Sequence, residues 1–300
     1  MKLTNFLSVG ALFCTIAAFS QNVASTATLT SGGLNAGTSG TQNTFYGYKA
    51  GKNNSSGDYN TFIGNEAGNS NTLGSNNTYI GALTGDTNYG NNNTFIGSGA
   101  GGGYEGNENI FIGIDTGNAG SGNNNIFIGN NAGFGQITNN RLVIENNGQS
   151  VYPLIWGDFA QDQLKFNGKV GIGYGFGNFP TTAGSVNVSN YNLFVKGGIL
   201  TEEVRVNLQG DWADYVFSKD YELMPLQKIE IFIKENGHLP NMPSAKQVKE
   251  EGIELGQIAK MQQEKIEELT LHMIEQNKTI EKQSEEIKEL KELVKQLIEK

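Results

Sequence analysis

The chain has 300 residues, of which 41 are glycine, and only 17% of its side chains belong to the charged types. Its formal net charge is −9 at pH 7, which argues against nucleic acid as a partner because phosphate binding needs a basic surface. Cys14 is the single cysteine, so the chain cannot form an internal disulfide.

Residues 1–20 are predicted to be a signal peptide. The basic start Met1-Lys2 precedes an apolar run, Phe6 to Phe19, that is too short to span a bilayer. Small residues before Gln21 predict cleavage between Ser20 and Gln21. No second apolar run has membrane length, so we expect an exported protein, extracellular or on the cell surface, without a transmembrane segment in the mature chain.

Residues 43–145 repeat one short pattern. Copies start 16 or 17 residues apart with a pentad such as Asn-Thr-Phe-Ile-Gly, at Asn43, Asn60, Asn77, Asn93, Asn109 and Asn125. A fixed period of this length predicts one unit stacked on copies of itself, and the β-rich pentads predict a parallel β-solenoid. A seventh, worn copy is predicted at Arg141. The preceding residues, 21–42, are either a flexible lead-in or a degenerate first coil.

Two apolar columns follow from the repeat, because successive strand side chains point to opposite faces. The column predicted to fill the interior is Phe45, Phe62, Tyr79, Phe95, Phe111 and Phe127. The column on the other face starts with Tyr46 and continues as Ile63, Ile80, Ile96, Ile112 and Ile128. An exposed apolar stripe is uncommon on monomers, so this second column is predicted to face other copies of the chain.

Glycine and asparagine recur at fixed places in each coil. Two glycine columns, Gly47 to Gly129 and Gly51 to Gly133, are predicted at corners where the backbone turns with positive φ or passes close to a neighbour. The first residues of the pentads, Asn43 to Asn125, are predicted to stack as an amide ladder.

These pentads resemble the head repeats of trimeric autotransporter adhesins. The resemblance covers about 100 residues, and the period in this chain is longer than the usual head repeat. It implies a left-handed parallel β-roll in which three chains pack side by side.

Residues 146–210 are predicted to form a β-rich connector. Strands are expected at Tyr152–Trp156, Gln163–Phe166, Val170–Ile172, Tyr191–Val195 and Val204–Leu208. The segment from Val170 to Ile199 is similar to a connector found in fibre proteins just before their C-terminal folding domain.

Residues 211–252 are predicted to form a small helical unit. Pro225 suits a helix start, and Asn236-Gly237 suits its end. A second, short helix is expected to begin with a capping box from Ser244 to Gln247 and to end at Gly252.

Residues 253–300 carry a heptad pattern that predicts a coiled coil. Its predicted apolar core is Ile266, Leu269, Met273, Ile280, Ile287, Leu290, Val294 and Leu297. Ile at a and Leu at d favour a dimer, but glutamines at the d positions 262, 276 and 283 weaken that preference. Together with the repeat block, they lead us to predict a homotrimer.

Three segments of this last third resemble the C-terminal module of a large family of exported Bacteroidota proteins that are described as tail-fibre-like. They are Trp212–Phe217, His238–Ser244 and Lys265–Gln276. The order of connector, helical unit and coiled coil also resembles the self-cleaving chaperone domain of phage tail spikes. The Ser-x-Asp element and downstream lysine of that domain are not evident, so cleavage is not implied.

No catalytic, cofactor-binding or metal-binding site is predicted. The stretch from Gly97 to Gly102 matches a dinucleotide-binding pattern, but it lies at a repeat corner with no helix after it. The two histidines, His238 and His272, have no partner at metal-ligand spacing. We therefore predict that the protein is not an enzyme.

Two classes of function remain. One is a structural, adhesin-like surface fibre whose partner is itself. The other is a dedicated ligand- or glycan-binding protein that uses the solenoid corners or the aromatic residues of the connector, Tyr152, Trp156, Phe159, Tyr174 and Phe176. A phage-tail-fibre-like protein with a C-terminal chaperone module is a further form of the alternative. Surface glycans are the candidate external partner.

Overall fold

The computed structural model describes residues 23–26, 29–146, 152–175, 177–207, 210 and 212–299. The predicted signal peptide and its cleavage site therefore lie outside the described residues, as does Phe176. The chain divides into two compact units whose boundary falls between Val170 and Gly171.

Within the described part of the first unit, eleven strands form one sheet in chain order. They are β1 Val23–Thr26, β2 Leu29–Gly32, β3 Asn43–Tyr46, β4 Thr61–Ile63, β5 Thr78–Ile80, β6 Thr94–Ile96, β7 Ile110–Ile112, β8 Ile126–Ile128, β9 Arg141–Ile144, β10 Ile155–Asp158 and β11 Gln163–Phe166. Neighbours from β2 to β9 are parallel, and equivalent residues of successive repeats pair directly, as Phe95 pairs with Phe111. The predicted parallel β-solenoid of about 16-residue repeats is confirmed.

Both ends of the repeat block extend the solenoid. Leu29 of β2 pairs in parallel with Asn43, so residues 29–42 form the degenerate first coil that was one of the two predictions for this segment. Ile126 of β8 pairs with Leu142, so β9 is the worn seventh copy. Strands β1, β10 and β11 then add to the two ends of the sheet in antiparallel fashion.

The interior of the solenoid is a column of stacked rings. The six aromatic side chains from Phe45 to Phe127 are fully buried. Consecutive ring centroids lie 4.7–5.2 Å apart, and the rings are tilted by 2–24° from parallel. This spacing follows from the strand separation of about 4.8 Å, which the stack of rings inherits.

The two glycine columns allow each coil to close around this stack. Gly97 has φ +135°, and a Cβ atom there would lie 2.2 Å from the carbonyl oxygen of Gly113. Gly101 has φ +62°, and a Cβ atom there would lie 2.3 Å from Cε2 of Phe95. Any larger residue at either corner would therefore collide with the next coil or with the ring stack.

A buried asparagine ladder holds neighbouring coils in register. The backbone N–H of Asn109 donates to Oδ1 of Asn93 at 3.0 Å, and Nδ2 of Asn93 donates to the carbonyl oxygen of Gly106 at 2.9 Å. The same pattern links the pentads from Asn43 to Arg141. Because these amides are fully satisfied in the interior, they fix the stacking without the cost of an unpaired polar group.

The described part of the second unit contains two small sheets. Strand β12, Val170–Ile172, pairs with β15, Leu193–Val195, and β13, Thr182–Ala183, forms a hairpin with β14, Val186–Asn187. Predicted strand starts at Tyr152 and Tyr191 were three and two residues too early. The predicted strand Val204–Leu208 is wrong over its described residues, 204–207, where the exposed Val204 and Val206 have no neighbouring strand to pair with.

The described part of this unit also contains one 3-10 helix and three α-helices, joined by loops. A 3-10 helix spans Ala213–Phe217 and is followed by α1 Leu226–Asn236, α2 Ala245–Glu251 and α3 Leu255–Ile298. Helix α1 begins after Pro225 and ends at Gly237, which has φ +74°. The predicted capping box of α2 is present, with the side chains of Ser244 and Gln247 each accepting a backbone N–H.

Candidate functional site

The outer face of the solenoid presents a regular apolar stripe. Ile63, Ile80, Ile96 and Ile112 are 37–40% exposed, and Tyr46 at the start of the column is also exposed. Ile128, at the C-terminal end, is half-buried. Beside this column runs a second one, in which Thr44, Thr61, Thr78 and Thr94 give way to Ile110 and Ile126. We call these two columns together the outer stripe; in the single chain it is uncovered.

One buried residue of the interior is not predicted by the repeat pattern. Tyr104 is fully buried, and its ring packs edge-on against Phe111 at 4.7 Å. Its hydroxyl accepts a hydrogen bond from Nδ2 of Asn125 at 2.8 Å, and burial raises the pKa of Tyr104 to about 12. Tyr104 occurs in only one coil, so the repeat pattern carries no signal for it.

The solenoid also contains an exposed amide ladder that was not predicted from the sequence. The backbone N–H of Asn91 donates to Oδ1 of Asn107, and the same bond links Asn107 to Asn123 and Asn123 to Asn139, at 2.7–2.8 Å. These residues stand two positions before the buried ladder, and each coil uses a left-handed residue between the two. A recurring Asn-x-Asn spacing was the available signal. The ladder gives the solenoid a polar, hydrogen-bonded corner.

The C-terminal end of the solenoid contains a cavity of about 390 Å³, which we call the end notch. Strands β10 and β11 prolong the sheet past the last coil, so the inner side of β9 and β10 borders this space. The notch is lined by Asn131, Ala132, Gly133, Phe134, Gln136, Thr138, Arg141, Val143, Glu145, Pro153 and Trp156.

The two charged lining residues of the end notch, Arg141 and Glu145, both make contacts within the first unit. Nη1 of Arg141 lies 2.5 Å from Oδ2 of Asp158, and its guanidinium lies 5.3 Å from the ring centroid of Trp156. Glu145 accepts hydrogen bonds from the backbone N–H groups of Asn146 at 2.8 Å and Leu154 at 3.1 Å. The notch therefore combines an aromatic wall with planar polar groups whose positions are fixed.

The structure does not bring the five predicted connector aromatics together. Trp156 lines the end notch, and Tyr152 and Phe159 are exposed in the first unit. Tyr174 belongs to the second unit, where its ring contacts Phe179 and Phe194. Phe176 lies outside the described residues. Of the predicted set, Trp156 is therefore the member placed in a concave site.

One face of helix α3 packs against its own unit. The hydroxyl of Tyr215, in the 3-10 helix, donates to Glu264, and the hydroxyl of Tyr221 donates to Glu268. Nζ of Lys265 lies 3.1 Å from Glu264 and 2.7 Å from Glu268. The hydrogen bond to Glu264, together with burial, raises the pKa of Tyr215 to about 12. This network attaches the first half of α3 to the small helical elements.

The predicted heptad core lies on the opposite face. Its eight side chains, from Ile266 to Leu297, are 49–73% exposed in the single chain. Every described side chain from Met273 to Glu299 is exposed, so the second half of α3 has no packing partner among the residues that the structure describes.

Comparison with protein-family models, curated proteins and solved structures gives no match to this chain. Over the residues that the structure describes, no helix combines the length and the apolar character needed to cross a membrane. Function must therefore be argued from the surfaces described above.

Proposed function

We propose that the protein is a non-catalytic, exported, adhesin-like surface fibre, in which a trimeric β-roll head is held by a C-terminal coiled coil. The observation that carries this proposal is that both units leave a long, regular apolar stripe uncovered. Neither stripe is a scatter of single residues, which would need no explanation.

The outer stripe supports association through the head. Its isoleucines repeat at every coil from Ile63 to Ile128, and direct register pairing sets them in a straight line. When the stripe of another chain covers this line, the apolar surface removed from water stabilises the contact by about 25 cal/mol per Å². A repeated, self-similar surface suits contacts between identical copies.

Helix α3 supports association through the tail. At 1.5 Å per residue, its 44 residues extend over about 66 Å. Helical stability in proteins comes mostly from packing of an apolar face, and the second half of α3 has no such packing among the described residues. Heptad spacing places that face where a parallel partner helix would cover it.

Three chains are favoured over two. The glutamines at d positions, Gln262, Gln276 and Gln283, interrupt the Ile/Leu alternation that selects dimers. The likeness of the pentads to trimeric adhesin heads favours the same number. In this proposal the C-terminal module of tail-fibre-like type sets the register of the chains, because parallel β pairing is slow and weakly specified in glycine-rich strands.

The test is the substitution Ile96→Asp in the full chain. In a trimeric head it brings three carboxylates together in a desolvated site, where they cannot all stay ionised. We expect the head to splay or dissociate while the coiled coil still joins the chains, which sedimentation velocity would detect as a more extended particle of unchanged mass.

Leu73→Asp is the matched control, because Leu73 is exposed in the loop between two pentads and is not part of the outer stripe. That variant should sediment like the wild type. Wild-type compactness and melting in Ile96→Asp would refute the trimeric head.

Dedicated ligand or glycan binding is the second candidate function. The observation in its favour is the end notch, which is concave and combines an aromatic ring with polar groups. Binding at the notch and assembly through the outer stripe use different surfaces of the first unit, so both functions can coexist.

A further inference from the structure

The inward positions of the repeat change in composition where the chain reaches the end notch. In the six pentads these positions carry asparagine, an aromatic residue and glycine. In β9 they carry Arg141, Val143 and Glu145, which follow Asn125, Phe127 and Gly129 in direct register. All three of the replacing residues line the notch. The worn repeat is therefore altered at the positions that face this cavity.

The notch continues the space of the ring stack. Val143 packs against the end of the aromatic column, but it is shorter than the Phe or Tyr found at this position in the pentads. In the antiparallel pair of β9 and β10, Trp156 lies opposite Val143 and Asp158 lies opposite Arg141. Because residues directly opposite one another share a face, Trp156 stands on the inner side of the sheet. No further coil covers that side within residues 152–170, which the structure describes in full.

The lining chemistry suits a neutral, polyhydroxylated ring. Phe134 offers exposed aromatic surface, against which the C–H faces of a sugar ring can stack. Trp156 lines the same cavity and carries two cationic side chains over its ring. Planar polar groups of Gln136, Asn131 and Glu145 lie around them and can exchange hydrogen bonds with hydroxyls. The end notch therefore offers an apolar surface and hydrogen-bonding groups within one cavity, as a sugar ring requires.

Charge and size narrow the ligand class. The positive charge of Arg141 is compensated by Asp158 at 2.5 Å, and the negative charge of Glu145 is balanced by Lys165, whose Nζ lies 4.4 Å from the centroid of the Trp156 ring. Because these charges cancel, the notch gives no electrostatic preference to an anionic or a cationic ligand, which favours a neutral one. A cavity of about 390 Å³ lies at the small end of the usual range for ligand sites, about 300–1,000 Å³.

We propose that the end notch binds one or two sugar units of a neutral glycan, with Phe134 as the stacking surface and Trp156 as the second aromatic residue of the lining. This site does not rest on the trimeric assembly proposed above, since the notch is built from residues of one chain. It gives the fibre a means to recognise a surface, whereas the outer stripe and α3 serve assembly.

Tryptophan fluorescence of the full chain tests the proposal. The sequence has two tryptophans, so Trp212→Phe leaves Trp156 as the reporter. The probes are cellotriose, maltotriose, chitotriose and mannotriose, with a triglucuronide as the acidic arm. We expect at least one neutral probe to change the emission saturably at millimolar concentration, and the triglucuronide to have no effect.

Two substitutions locate the binding site. Phe134→Ser and Gln136→Ala remove exposed lining groups without opening the core, and each should weaken binding by about tenfold. Tyr89→Ser, at another exposed aromatic in the loop between two pentads, is the matched control and should leave binding unchanged.

Three results would overturn the proposal: no binding of any neutral trisaccharide, wild-type affinity in both notch variants, or preference for the triglucuronide. Sedimentation of the same samples shows whether the chains still assemble, so a failure of sugar binding can be distinguished from a failure of assembly. If the protein sediments as three chains but binds no sugar, the proposed glycan site is wrong and the proposed trimeric fibre is unaffected.

Discussion

In the β-solenoid, six aromatic rings are completely buried by a single chain, whereas in helix α3 the eight heptad-core side chains are all largely exposed. The solenoid buries its rings because each coil covers the next, and the ladders satisfy the amides between coils. Helix α3 packs against its own unit with one face of its first half, whereas no described residue covers its second half.

The difference shows which part of the molecule needs partners to be stable. A stacked repeat gains a core from its own neighbours in the chain, so the solenoid interior is complete in one copy. A long helix with an open heptad face gains its core only from other helices. The outer stripe of the solenoid shares this second property, which is why we place the chain contacts there.

The largest expected effect is at the ring stack. Phe95→Ala removes a fully buried ring between Tyr79 and Phe111 and should lower the free energy of unfolding by about 3–5 kcal/mol per chain. Chemical denaturation followed by circular dichroism would measure it. Tyr89→Ala, at an exposed aromatic, should cost less than about 0.5 kcal/mol. Equal costs for the two variants would mean that the stack is not the core.

A smaller effect is expected at the asparagine ladders. Asn93→Ala leaves the buried N–H of Asn109 and the half-buried carbonyl of Gly106 without these partners, which should cost about 1–3 kcal/mol. Asn107→Ala removes the acceptor of the Asn91 N–H and the side-chain bond to Asn123 at an exposed corner, where water can replace them, and should cost clearly less. The same denaturation experiment compares the two. A larger loss for Asn107→Ala would contradict the role assigned to burial.

The attachment of α3 predicts a pH dependence in alkali. The pKa of Tyr215 is raised from about 10 in the unfolded chain to about 12 by its bond to Glu264 and by burial. A phenol with a raised pKa stabilises the folded state fully below about pH 10, and this contribution is lost as the pH rises toward 12. Unfolding of the second unit should therefore become easier across this window.

Tyr215→Phe is the control for this dependence. It removes the titrating hydroxyl and keeps the ring, so the Tyr215 contribution to the alkaline loss should disappear. The remaining slope, to which Tyr221 contributes through its own raised pKa, should be shallower than in the wild type. Identical slopes in the two proteins would show that Tyr215 does not hold α3.

The smallest effect concerns backbone strain. Glu108 has φ +60°, at a position where the neighbouring coils carry Asn92 and Asn124 with nearly the same φ. Asparagine tolerates this left-handed conformation better than glutamate, so Glu108→Asn should raise the stability of the solenoid by about 0.5 kcal/mol. The reverse change, Asn92→Glu, should lower it by a similar amount. Both side chains are exposed, so lost packing does not enter the comparison.

The sequence predicted the solenoid because its period repeats the same physical demand at every coil. The ring column, the glycine corners and the buried amide ladder each recur six times, and each recurrence supports the others. Tyr104 occurs in a single coil, so its burial could not be inferred from a repeated position.

The ends of the solenoid were harder to predict for a related reason. Strands β10 and β11 pair in antiparallel fashion with the last coil, and nothing in their local composition sets that direction. The predicted strand at Val204 failed because alternation of apolar residues indicates a strand only where a partner strand exists. The end notch depends on the same non-local pairing, so from sequence only Trp156 among its lining residues was named as a candidate.

The measurement that tests the account most directly is the mass of the native protein in solution, by sedimentation equilibrium over a range of concentrations. Two open apolar stripes in one chain lead us to expect three times the mass of a single chain, stable on dilution. A protein that sediments as one chain, with the outer stripe and the heptad face of α3 both open to water, would contradict the proposed fibre.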